Sequence, residues 1–216
     1  RAQPGIDSLL VTDGNPLVAE TLAHNVAALG DERVAARELR WDRSASFDDV
    51  GPRSFDVILG ADCLFFRDYH IDLLHTLDAL LADDGLVLFI APERPPTLDL
   101  FLAHADASAK WNVTVTRDAY DATIWAKHER LVAAGDTGAY DPAIHYPLRI
   151  EMQRRASSWN GAVMAPVGQA SMQLVHLPQW LRSGSSGSSS AVVRISEMKN
   201  QLPSRRLMRL VCLPMK

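Results

Sequence analysis

Between Ser8 and Arg155, short apolar runs take turns with segments whose apolar residues recur every three or four positions. That alternation is the pattern of a sheet whose strands are joined by crossover helices. SLLVTD at 8–13 reads as a first strand, and Pro16 and Gly30 bracket the helix after it, with Val18, Leu22, Val26 and Leu29 on one face. VAARELRW at 34–41 is a second strand and FDVILGAD at 55–62 a third. The third is the most informative, because Val57, Ile58 and Leu59 behind Phe55 make the apolar run of a central parallel strand, and such strands open at their carboxyl ends onto ligand crevices. The spacing predicts a helix over DYHIDLLHTLDALLADDG, with Leu73, Leu74, Leu77, Leu80 and Leu81 inward and Gly85 as its stop. GLVLFIAP at 85–92 is a fourth strand, and Thr97 opens another helix over TLDLFLAHADAS. WNVTVTRDAY at 111–120 and HYPLRIEMQR at 145–154 alternate as half-exposed strands that are expected to pair antiparallel at an edge, with a weakly helical segment at 122–134 between them.

After Arg155 no period is sustained, and SGSSGSSS at 183–190 is low-complexity. The expected organisation is therefore an α/β domain over 1–155 and a disordered tail over 156–216. With 216 residues, 47% of them hydrophobic, the chain can bury one sizeable core. Its net charge of -4 conceals a division: residues 1–155 carry 15 Lys+Arg against 25 Asp+Glu, and 156–216 carry 7 against 1. The basic charges of the tail are dispersed among Gly, Ser and Leu, which argues against a nucleic-acid arm. No apolar run reaches the length of a membrane-spanning helix and the first residues lack a signal-peptide pattern, so an intracellular protein with no membrane partner is expected. Two cysteines, Cys63 and Cys212, form no disulfide framework and have no metal-ligand spacing. A first strand that begins almost at once behind Arg1 suggests a chain whose beginning is missing.

Three strand ends carry candidate chemistry. Asp13 closes the first strand, where a carboxylate can accept hydrogen bonds from both hydroxyls of a ribose; Asp before Gly and Asn is equally a turn former. Trp41 lies past the second strand and can stack on a purine or a sulfonium cation, or simply fill space. Asp62 ends the third strand with Phe65 and Phe66 able to wall a pocket; its alternative role is to cap the helix that follows. No Gly-rich phosphate loop, nucleophile elbow or metal-ligand cluster appears, and His70 and His75 do not share a helix face.

The order of the pieces resembles a class I S-adenosylmethionine-dependent methyltransferase from its second strand onward. More closely, VTDGN at 11–15, LRWD at 39–42, FDVILGADCLF at 55–65, FIAPERPPTLDLF at 89–101, AYDATI at 119–124 and HYPL at 145–148 resemble the family 16 protein-lysine methyltransferases, in particular those that act on calmodulin. The resemblance implies a Rossmann-like seven-stranded sheet in the order 3-2-1-4-5-7-6, in which this chain lacks the first strand and its Gly-rich motif. It implies S-adenosylmethionine as cofactor, held by Asp13, Trp41, Asp62 and Cys63, and a catalytic rim of Asp62, Phe65 and Tyr120. Transfer would run from the sulfonium directly to an unprotonated lysine amine. The implied partner is a protein substrate, calmodulin first, met by a monomer in the cytoplasm and also the nucleus. A translation factor or chaperone as substrate is the alternative within the family, and a truncated product that only binds a partner is the alternative outside it. Glu93 departs from the family, which tends to have arginine there. Without a first strand, the middle of the sheet is expected to hold unpaired backbone groups, each costing about 1–3 kcal/mol if buried and unsatisfied.

Overall fold

A computed structural model describes residues 6–135, 140–156 and 206–211. The elements in chain order are β1 (Ser8–Asp13), α1 (Pro16–Leu29), β2 (Val34–Glu38), β3 (Phe55–Ala61), α2 (His70–Leu80), β4 (Leu81–Pro92), α3 (Thr97–Ala107), β5 (Trp111–Thr116), α4 (Ala122–Ala133), α5 (Pro142–His145), β6 (Pro147–Arg154) and β7 (Arg206–Val211). Helix α1 starts and stops for local reasons. Asn15 caps it through Oδ1, which accepts from the Leu17 N–H at 3.0 Å; Pro16 fills the first turn, and Gly30 ends it at φ 59, where a side chain would be strained.

Several of the expected boundaries move: β5 ends at Thr116 rather than 120 and β6 starts at Pro147 rather than 145. Strand β2 ends at Glu38, and the chain leaves the sheet with Leu39, whose N–H still bonds the Asp13 carbonyl at 2.9 Å. Helix α2 ends at Leu80, so Gly85 is not its stop but lies inside β4. The reason is packing: Leu81 is fully buried and paired with Phe55, and a Cβ on Gly85 would lie 2.8 Å from the Leu81 side chain.

The sheet has seven strands in the order β2-β1-β7-β3-β4-β6-β5, with β6 antiparallel to both β4 and β5 and the other pairings parallel. The edge pairing of β5 with β6 is the one expected from their alternation. The expected gap in the middle is filled. Residues 206–211, which the sequence pattern assigned to a disordered tail, form β7 between β1 and β3, with Leu9 and Val57 both in register with Leu207. Backbone donors and acceptors on the facing edges of β1 and β3 need partners, and a parallel strand supplies them on both sides. The remaining residues of the expected tail, 157–205 and 212–216, lie outside the described residues.

Alternate positions of β3 enter different clusters. Ile58 joins the main core with Phe89, Ile150, Met152, Leu73, Leu77, Leu98 and Phe101, while Val57 packs with Ile6 and Val34 and against Val26 of α1. Both faces of the central strand are thus covered, as its unbroken apolar run requires. Burial of each large apolar side chain stabilises the fold by about 1.5–3 kcal/mol. Parallel strands deliver their carboxyl ends to one edge, and antiparallel β6 starts there, because Pro147 pairs with Pro92 at the end of β4. Asp13, Asp62, Arg94 and Tyr146 therefore gather along a single rim.

Candidate active site

Asp62 follows β3 in a left-handed backbone conformation, φ 55, that turns the chain sharply off the sheet, and its N–H donates to the Ile90 carbonyl at 2.8 Å. Its side chain caps no helix. Instead Oδ2 accepts from Nη2 of Arg94 at 2.6 Å, and the Arg94 guanidinium carbon stands 5.3 Å from the centre of the Phe65 ring. Arg94 is itself left-handed, φ 42, and is tied down through its N–H to the Ala143 carbonyl of α5 at 2.8 Å. The carboxylate remains 48% exposed and the arginine side chain 23%. Phe65 is 53% exposed and edges against Phe66, which in turn edges against Tyr69. Cys63 points the other way: it is fully buried in the main core, with Sγ 3.7 Å from the Ala61 carbonyl oxygen. Its thiol is a packing group rather than part of the rim.

The loop is pinned from below. His70, 1% exposed, bonds the Leu64 carbonyl through Nε2 at 2.8 Å. Burial pushes its pKa below 6.5 against the opposing pull of that hydrogen bond, so the ring is neutral at pH 7 and Nε2 donates.

Asp13 is 3% exposed, and Oδ1 accepts from the Asn15 N–H at 2.7 Å. The turn-forming role is realised, and it fixes the carboxylate at the end of β1. Trp41 is half-buried and packs against the main core from the loop after β2. Asp13 and Trp41 thus stand on one side of β7 and Asp62, Phe65 and Arg94 on the other.

Tyr120 is not in the ring contacts of Phe65. It packs beside Tyr146, 6.4 Å between centroids, in a cluster completed by Trp125 and His128 of α4. The hydroxyls of Tyr120 and Tyr146 are both buried without a hydrogen-bond partner, and burial pushes the pKa of each up. Arg94 is the member of the site that spacing did not reveal: it appears in the sequence as one more basic residue, 32 positions from the carboxylate it binds. Glu93, the departure from the family pattern, accepts from Arg117 at 3.3 Å. An open cleft of about 760 Å3 lies at the opposite edge, among the starts of β1 and β3, and none of these rim residues lines it. Among the described residues no group of His, Cys, Asp or Glu is arranged to hold a metal ion, and no helix is long and apolar enough to cross a membrane.

A nucleoside with a charged amino-acid arm can be tested against these residues. A fixed carboxylate at the end of β1 and an indole in the loop after β2 suit its ribose and base. Asp13 and Trp41 fit the adenosine half of such a molecule.

Comparison with known proteins places this rim in context. The family model described as lysine methyltransferase matches residues 3–107. The chain is 32% identical over 152 residues to the calmodulin-lysine N-methyltransferase of Arabidopsis thaliana, a match covering 67% of this chain and 48% of that protein. It is 34% identical over 56 residues to the protein N-lysine methyltransferase METTL21A of Mus musculus, covering 26% of this chain and 25% of that protein. The chain thus spans about half the length of the plant relative and a quarter of the mouse one. Among solved structures it resembles a putative rRNA-methylase from Clostridium thermocellum, with a TM-score of 0.43 and 12% identity, over 69% of this chain and 73% of that one.

Proposed function

We propose that the chain, whose residues 3–107 match the lysine methyltransferase family model, is the substrate-facing part of a protein-lysine N-methyltransferase whose substrate is calmodulin. The observation that carries the reading is the half-exposed carboxylate of Asp62 with the exposed Phe65 ring beside it, at a strand end inside the matched segment. A lysine reaching this rim meets an acceptor for its amine hydrogens and an aromatic wall for its methylene stem. Asp62 orients the amine; Phe65 and Phe66 exclude water from it. Tyr69 and Ile71, 39% and 44% exposed, extend the apolar surface outward, which suits a protein rather than a free amino acid. The methyl donor is S-adenosylmethionine, which when bound supplies a methyl group on a sulfonium. Asp13 would hold its ribose and Trp41 its adenine. Calmodulin as substrate is supported by the identity with the plant enzyme of that name and by its extent over two thirds of this chain.

The test is incubation of the full chain with radiolabelled S-adenosylmethionine and calmodulin, with Asp62→Ala as the control. Label on a calmodulin lysine that disappears in the variant is the expected result. Label that appears only on another protein overturns the substrate assignment, and label that is indifferent to Asp62 overturns its role.

A further inference from the structure

Asp62 and Phe65 together make a site for a cation, and the chain already keeps a cation in it. The carboxylate supplies charge and a hydrogen-bond acceptor, and the ring supplies a negative face; these are the two groups that an alkylammonium would use. The guanidinium of Arg94 takes both at once, 2.6 Å from Oδ2 and 5.3 Å from the ring centre. We propose that Arg94 is a built-in occupant of the substrate-amine subsite, which a lysine enters by displacing the guanidinium, so that Arg94 sets the affinity and selectivity of entry.

Three features favour displacement over a permanent clamp. The bond is a single one, from Nη2 to Oδ2, rather than the bidentate pairing that makes an arginine–carboxylate bridge strong. Nε of Arg94 is buried without a partner, so the side chain is incompletely satisfied where it lies. Both residues sit at positive φ, 55 and 42, a conformation that non-glycine residues adopt at a cost, and strain of this kind accumulates at sites that must rearrange. The carboxylate, at 48% exposure, is open to an incoming group before the arginine leaves.

An internal competitor has a selective consequence. A weakly held cation is rejected because it cannot replace the guanidinium, whereas a lysine presented on a docked protein surface has the rest of its interface to add to the exchange. The proposal rests on the reading of Asp62 as the residue that receives the substrate amine, but its test needs neither methyl transfer nor calmodulin.

The full chain is titrated with N-acetyl-lysine methylamide, followed by NMR line broadening of the ligand, in the native sequence and in R94M, R94K and D62N. R94M is expected to bind about 10-fold more tightly, with R94K close to the native chain because a cation still fills the subsite. D62N and D62N/R94M are expected to bind no better than the native chain. Binding by R94M that equals or falls below that of the native chain overturns the proposal, as does tighter binding that survives removal of the Asp62 charge. Circular dichroism of each variant identifies loss of fold; should R94M unfold, R94Q provides the same comparison with a neutral side chain of similar reach. A positive titration alongside a failed methylation assay would leave the subsite standing and remove the enzymatic reading alone.

Discussion

Replacing Gly60 with alanine puts a methyl group where the sheet has no space for one. An ideal Cβ at this position lies 2.5 Å from both Cδ1 and Cε1 of Phe89, the residue directly paired with Gly60, and 3.0 Å from Sγ of Cys63. Carbon atoms in contact settle at about 3.5–4.0 Å, so the ring has to retreat by about 1 Å. It has little freedom to do so: Phe89 is fully buried and lies edge-to-face against Phe101, 6.0 Å between centroids. Overpacking of a closed core costs about 1–3 kcal/mol. Against this, an alanine reduces the entropy of the unfolded chain, a gain of about 0.4–1 kcal/mol. The net expectation is a loss of about 1–2 kcal/mol. In urea denaturation followed by circular dichroism, G60A should show a lower midpoint with an unchanged slope, and its melting temperature should fall by about 2–8 °C. Because Asp62 is two residues further on and Cys63 takes part in the clash, the amine titration of the variant should weaken as well. A G60A protein as stable as the native chain would show that Phe89 yields without cost, and would refute the reading of Gly60 as required by its close approach to Phe89.

Two other changes probe the rim. Y120F and Y146F each delete a buried hydroxyl that has no hydrogen-bond partner, so both should leave stability unchanged or raise it by up to about 1 kcal/mol; a loss above 1 kcal/mol in chemical denaturation would reveal a partner and refute the assignment. If Y120F also loses methyl transfer at unchanged stability, Tyr120 touches the substrate. For His70, the folded-state pKa is lowered from 6.5, chiefly by burial, so the unfolded chain binds the proton more readily. The stability this neutral ring contributes is present above pH 6.5 and is lost as pH falls below it. The fall in unfolding free energy between pH 7.5 and 5.5 should therefore be larger for the native chain than for H70Q, and equal falls would show that the ring carries no such linkage.

How much of this was visible in the chain depends on the range of the interactions. The ends of α1 are local, and Pro16 and Gly30 announce them, while the Asn15 cap emerges only from the structure; the apolar runs of β3 and β4 reflect burial on both faces and are equally plain. Gly85 was misread because a glycine after a leucine-rich helix has the same appearance whether it ends the helix or makes room for Leu81. Asp13 and Asp62 stand at strand ends with two readings each, and geometry excludes one of them only for Asp62, which caps nothing and binds Arg94, whereas the turn that Asp13 forms is compatible with both of its readings. That ion pair spans two loops and leaves no periodic trace. Strand β7 was hidden for a different reason. RLMRLV places Arg209 in register with Val11 and Leu59, and a charged residue in mid-sheet is contrary to the apolar run by which central strands are recognised.

Among the described residues, β1 and β3 have no hydrogen bonds to one another in the sheet; each is joined to β7 instead. The strand is therefore a ruler. Adjacent strands lie about 4.8 Å apart, so β7 sets the carboxylates of Asp13 and Asp62 on rails about 9.6 Å apart. On the proposed function, a methyl donor gripped at one rail and an amine held at the other meet only if that width is kept, which makes the spacing of the reaction depend on the six-residue strand between them.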